Sequence, residues 1–177
     1  MASFNSDPNK KSFIKYNLKN LTNHLEIKFR FATLQPNQSK ALILFMGNLQ
    51  NKTQNPHFIV DFLSISLESG ILCFRINLGH GTKLLSTPIN AALREQLVFF
   101  GHHKQFVWLI VVPEDIDKTR PIVGETPLSF HALNVSPHLY VGGHESYTGH
   151  PFLTSYHGFK GCIYDIEIRD HLNVNFR

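Results

Sequence analysis

Cysteine is nearly absent: Cys73 and Cys162 are the only two in 177 residues. That excludes a disulfide scaffold and any C-x-x-C metal or redox motif. Charge is also sparse, at 17% of residues, and the basic side chains are scattered, with Lys10-Lys11 the only run. A nucleic-acid surface needs Lys and Arg clustered among aromatic residues, and no such cluster occurs. No stretch approaches the ~18 apolar residues of a membrane span. The first eleven residues, MASFNSDPNKK, contain no apolar leader. There is no G-x-S-x-G elbow and no cysteine in a catalytic signature, so the chain does not read as an enzyme. Strand–helix–strand alternation is missing as well, which argues against nucleotide-binding folds.

What the chain does have is apolar mass, 42% of residues, including fifteen Phe. That suits a β-rich core of a single domain. The net charge of +4, beside eleven His, leans toward anionic partners. Leu25-Glu-Ile-Lys-Phe-Arg-Phe31 alternates strictly, with Leu25, Ile27, Phe29 and Phe31 inward. Ala41 to Met46 is a continuous apolar strand ended by Gly47. Phe58 to Leu67, the turn Glu68-Ser-Gly70, and Ile71 to Leu78 form a hairpin whose return strand faces the core through Leu72, Phe74 and Ile76. Further short strands are expected at 83–86, 97–100, 106–112, 127–133 and 139–142, with a helical turn at 89–96 and a loop at 113–124. Residues 143–158 read as the longest polar loop, and residues 1–12 as a flexible arm ahead of one domain, 13–177. After Gly158-Phe-Lys-Gly161 the last strand alternates, with Cys162, Tyr164, Ile166 and Ile168 placed inward against Ile163, Asp165, Glu167 and Arg169. About 12–14 short strands with almost no helix predict an all-β antiparallel sandwich or jelly roll.

His102, His103, His144, His150 and His157 match no zinc spacing. Sequons stand at Asn20, Asn37, Asn51 and Asn134; the first three lie in polar, turn-like stretches suited to a glycan, whereas Pro137 follows the last. A Cys73–Cys162 bridge and two free thiols are both open, since geometry decides between them. Asp61 interrupts the apolar run Phe58-Ile-Val-Asp-Phe-Leu63 and reads, on composition alone, as an exposed carboxylate at a strand end.

Taken in order, several segments resemble one family. They are Leu25 to Phe31, Leu42-Ile-Leu-Phe45, the hairpin Asp61 to Gly79, Tyr140-Val-Gly-Gly143 and Gly158-Phe-Lys-Gly-Cys-Ile-Tyr-Asp-Ile166. Together they are similar to the laminin G-like domain from about Phe13 to Asp170. The family's W-H segment is replaced by Arg94-Glu-Gln-Leu-Val98, and Cys162 lacks the downstream cysteine that relatives pair with it. The resemblance implies a concanavalin-like jelly roll from a longer extracellular protein, in which either the partner of Cys162 has been cut off or this member lacks the bridge. It also implies Ca²⁺ on one rim, with ligands falling on Asp61, the carbonyls of Leu78 and Ala132, and the side chain of Asn134; in that role the Asn134 sequon stays unused. An amide oxygen ligates calcium, though with less charge than a carboxylate. His80, Lys83, His131 and His144 are the glycan contacts expected nearby. The implied function is calcium-dependent binding of acidic glycans, of the heparan sulfate or dystroglycan type. The alternative is a protein–protein adhesion module with no glycan role. An apolar ligand between the sheets is disfavoured, because Phe29, Phe31, Phe45 and Phe74 read as filling that space.

Overall fold

The alternation at Leu25–Phe31 produces the strand it predicts. Leu25, Ile27, Phe29 and Phe31 are at most 2% exposed, while Glu26, Lys28 and Arg30 between them reach solvent. The structure, a computed structural model, describes residues 1–4, 12–18, 23–48, 60–88, 90–112, 119–127 and 130–169, and the backbone of 173–175.

The described residues form fourteen strands. They are β1 (Ala2–Phe4), β2 (Ile14–Asn17), β3 (His24–Thr33), β4 (Ala41–Gly47), β5 (Phe62–Glu68), β6 (Ile71–Asn77), β7 (Thr82–Ser86), β8 (Gln96–His103), β9 (Phe106–Val112), β10 (Ile122–Glu125), β11 (His138–Val141), β12 (His157–Gly158), β13 (Gly161–Arg169) and β14 (Asn173–Asn175). One sheet runs β1-β13-β3-β8-β9-β10, with β14 beside β13; the other runs β2-β11-β4-β5-β6-β7, with β12 beside β4. Every pairing is antiparallel except the two-residue β12–β4 contact. The inward faces of both sheets close on one core that includes Ile27, Phe29, Phe31, Ile65, Phe74, Phe100 and Ile163. The expected all-β sandwich is the fold observed.

Several sequence expectations need correction. Residues 1–12 are not all a loose arm: β1 pairs with β13, and Phe4 is 2% exposed. Its ring packs against Gly142, where a Cβ would lie 2.3 Å from it and where φ is +80°. Both facts explain the first glycine of the Val141-Gly-Gly143 run. Residues 90–95 are turns rather than helix, 130–136 form no strand, and 122–125 form β10. The strand expected from Phe58 begins at Phe62, and 51–59 lie outside the described residues.

The inward set of β13 is also revised. Ile163 is buried while Cys162 and Tyr164 are only partly so; beyond Asp165, Ile166 and Ile168 turn inward. A bulge does this: the register against β3 shifts between Tyr164 and Glu167, and Asp165 has φ +53°. One extra residue reverses the alternation, so the period-two reading holds only for the second half. Cys162 therefore sits outside the core, opposite Ala32, and Cys73 lies opposite Ser66 on the outer side of the other sheet. Both thiols are free.

β4 is buried along its whole length because both its faces are covered. Its inner side joins the core, and its outer side, through Leu42 and Phe45, meets a second cluster with Phe62, Tyr140, Leu153 and Tyr156. Phe45 thus fills this outer cluster and not the space between sheets. The segment 143–158, expected as a polar loop, makes the cover: a 3-10 turn at Pro151–Ser155 stacks Phe152 on Phe62 with ring centroids 4.5 Å apart. His144 and His150 set their rings edge-on to Phe45, both at 5.3 Å.

Candidate calcium site

Asp61 immediately precedes β5, and it is 9% exposed, not the open carboxylate its position suggested. Its Oδ2 accepts the backbone N–H of Asn134 at 2.8 Å. Its Oδ1 lies beside Gly79, in the connection from β6 to β7. That connection turns on Gly79 and Gly81, with φ of +108° and +107°, and the Gly79 N–H is held by Asn77 Oδ1 at 2.8 Å. A side chain on either glycine would be strained. The segment from 130 to 136 is pinned from below by Asn48, just past β4. Asn48 Nδ2 donates to the Asn134 carbonyl at 3.0 Å, and the Ser136 N–H donates to Asn48 Oδ1 at 2.6 Å. Three strand ends thus meet at one rim, with Asp61 at its centre.

Among the described residues no ion pair joins Asp61. Burial pushes its carboxyl above the usual carboxylate range, and the Asn134 N–H offsets only part of that. A carboxylate withdrawn from water without a countercharge is costly, and a cation relieves the cost. The Asn134 side chain is exposed, Leu78 is buried at 2%, and Ala132 is half-buried. One carboxylate, one amide oxygen and two carbonyls make an all-oxygen donor set, which suits a hard cation. Among the described residues no three His, Cys, Asp or Glu converge as a metal-binding group.

The expected glycan contacts separate. His80 and His131 are exposed on the two loops flanking Asp61. Lys83 lies across Gly124 of β10, so that a Cβ there would strike its aliphatic chain. His144 does not reach the surface: it is 1% exposed in the outer cluster, with Nδ1 bound to the backbone of Ser146. Asn37 is exposed in a turn, and Asn20 and Asn51 lie outside the described residues. Asn48 was not anticipated; its only signal was an amide directly after the glycine that ends an apolar strand.

A family model described as the Laminin G domain matches residues 31–171. The chain belongs to this family. Protein eyes shut homolog of Danio rerio is 26% identical over 172 residues, covering 93% of this chain. Protein eyes shut of Drosophila melanogaster is 29% identical over 168 residues, covering 89% of it. The chain spans only 6% and 7% of those two proteins. The laminin alpha2 chain LG1-3 structure superimposes with a TM-score of 0.73 at 18% identity, covering 88% of this laminin G domain and 29% of that chain. At that identity the likeness establishes the jelly-roll fold alone. A further relative is the basement membrane-specific heparan sulfate proteoglycan core protein of Mus musculus, 24% identical over 155 residues, so homologues of this laminin G domain in matrix proteins support an extracellular binding module.

Proposed function

We propose that this laminin G domain is a recognition module of a secreted or cell-surface protein, one that holds calcium at the Asp61 rim and binds acidic glycans there. The observation that carries the reading is the buried Asp61 carboxylate, which accepts the Asn134 N–H and has no cation partner among the described residues. Asp61, the carbonyls of Leu78 and Ala132, and the Asn134 side chain would hold the ion. With a single carboxylate the affinity should be that of extracellular modules, a dissociation constant of order 10⁻⁴–10⁻³ M. Bound calcium supplies positive charge at which a glycan carboxylate or sulfate completes the shell. His80 and His131 offer ring N–H groups to hydroxyls and acidic oxygens beside it. Heparan sulfate and the uronic-acid-rich glycan of dystroglycan are the chemical types that fit.

Calcium titration followed by thermal shift tests the ion, since a ligand of the folded state must raise its stability. A glycan array run with calcium and again with chelator tests the partner. The reading predicts calcium-dependent signals from acidic glycans that vanish in Asp61→Ala. Full-strength binding by that variant would overturn the rim model. A calcium shift with silence toward every acidic glycan would favour a polypeptide partner.

A further inference from the structure

Phe130 is 48% exposed, although a large aromatic ring gains most by burial. Its ring meets that of His80 edge-on, with centroids 4.8 Å apart and planes at 65°. The two residues come from different loops, and both loops converge on Asp61. His80 follows Gly79, beside which Asp61 Oδ1 lies; Phe130 lies four residues before Asn134, whose N–H donates to Oδ2. Gly81 lies close to Pro127, which a Cβ on the glycine would meet at 3.5 Å. The His80 ring thus backs the exposed Phe130 ring.

We propose that Phe130 is the stacking platform for a pyranose ring, seating one sugar of an acidic glycan beside the sugar whose acid group meets the Asp61 site; the proposal rests on the reading of that rim given above. The C–H face of a pyranose carries slight positive charge and packs on the electron-rich face of an aromatic ring. His80 buttresses one edge of Phe130, and His80 and the exposed chain neighbour His131 carry groups that donate to or accept from sugar hydroxyls. Among the described residues of the two loops, 78–82 and 130–136, Phe130 is the sole exposed large hydrophobic residue. A protein interface seats a continuous apolar patch with several anchors. A lone exposed ring backed by one imidazole matches a sugar, which is apolar on its faces and polar around its edge.

The test titrates a heparin oligosaccharide into wild type, Phe130→Ala, Phe130→Trp and Asp61→Ala, in calcium and in chelator. Calcium binding is measured separately by thermal shift without glycan. Phe130→Ala should weaken heparin binding about tenfold and keep the calcium shift, while Phe130→Trp should bind at least as well as wild type. Heparin binding by Phe130→Ala at wild-type strength would overturn the platform. If Phe130→Ala binds weakly while Asp61→Ala and chelator change nothing, the platform stands and the calcium reading falls. Wild-type silence toward heparin and toward every acidic glycan on an array overturns the platform and the glycan reading together, whatever the calcium shift shows.

Discussion

The Asn134 N–H and the Asp61 carboxylate, 73 positions apart, meet at 2.8 Å and tie the mouth of β5 to the segment leading into β11. The bond does two things. It satisfies the Asn134 backbone donor, and it aims the Asp61 oxygens at the rim while leaving the Asn134 side chain in solvent.

This pairing separates two substitutions at one position. Asp61→Ala leaves the Asn134 N–H without its acceptor and should cost about 1–3 kcal/mol. Asp61→Asn keeps an acceptor oxygen and removes a charge that burial disfavours. Because the folded-state carboxyl titrates above its ordinary range, the ionised form is the destabilised one, and stability should rise as pH falls through that raised value. Asp61→Asn should therefore raise the melting temperature at pH 7 without calcium, flatten that pH response, and lose the calcium-induced shift. Scanning calorimetry with and without calcium reads all three. A melting temperature lowered as far as in Asp61→Ala would contradict the argument.

The cover over the outer face of β4 and β5 is clamped by a polar network. Arg75 pairs with Glu68, Tyr156 donates to Glu68 Oε1 at 2.7 Å, and Ser66 adds a bond of 2.8 Å. Burial alone would raise the Glu68 carboxyl, but the hydrogen bonds from Arg75, Tyr156 and Ser66 outweigh it and hold it below the usual range. Arg75→Met should cost ~2–3 kcal/mol, less than the ~3–5 of a fully buried pair, because both side chains keep some exposure. Glu68→Gln combined with Arg75→Met should recover part of that loss. Tyr156→Phe should cost about 1 kcal/mol and speed hydrogen exchange in 150–156. Additive single-variant effects in the double mutant would refute the coupling.

His150 should make the fold acid-sensitive. It is 3% exposed, its ring packs on Phe45 and Phe62, and its Nδ1 accepts the Phe152 N–H at 3.2 Å. Burial, with a smaller push from His144, brings its pKa down to about 4. Above pH ~6.5 it is neutral in both folded and unfolded chains. Below that the unfolded chain takes up a proton the folded one refuses, so stability falls between pH ~6.5 and about 4, by at most ~3 kcal/mol. His102, also depressed by burial, adds in the same direction. His150→Asn keeps a capping acceptor and should flatten the stability–pH slope between pH 7 and 4.5. Denaturant unfolding at a series of pH values measures it; an unchanged slope would remove His150 from the account.

The bulge at Asp165 supplies a backbone test. Its φ of +53° is unfavourable for most side chains and worst for β-branched ones. Asp165→Val should destabilise by about 1–2 kcal/mol, and Asp165→Gly should be tolerated. The Arg30 contact at 3.5 Å is exposed and contributes little to this difference. Equal stability of the two variants would argue that β13 repairs its register without the bulge.

Much of the architecture was legible in local pattern. Period-two alternation identified β3, and unbroken apolar runs identified β4 and the buried side of β6, because burial on one face or on both writes itself into consecutive residues. Less legible were β1, β2 and β10: all three are short, and β1 and β2 draw their hydrogen bonds from β13 and β11, far along the chain. The polar letters of 143–158 concealed a cover whose aromatic residues find partners only on the outer face of another strand. For the rim, Asp61 and Asn134 could be named, but Asn48, which fastens Asn134, could not.

By itself, then, the sequence determined that this chain is an all-β domain of the laminin G family, with its inward faces marked by alternating hydrophobic residues. The tertiary structure decided the rest: which half of β13 faces in, that Cys73 and Cys162 lie outside the core on different sheets, that His144 is buried, and that Phe130 meets His80 in the connection after β6. The reason is physical. Alternation is a property of one strand and its burial, whereas a bulge, a covered outer face and a rim built from three loops depend on which distant segments pack together.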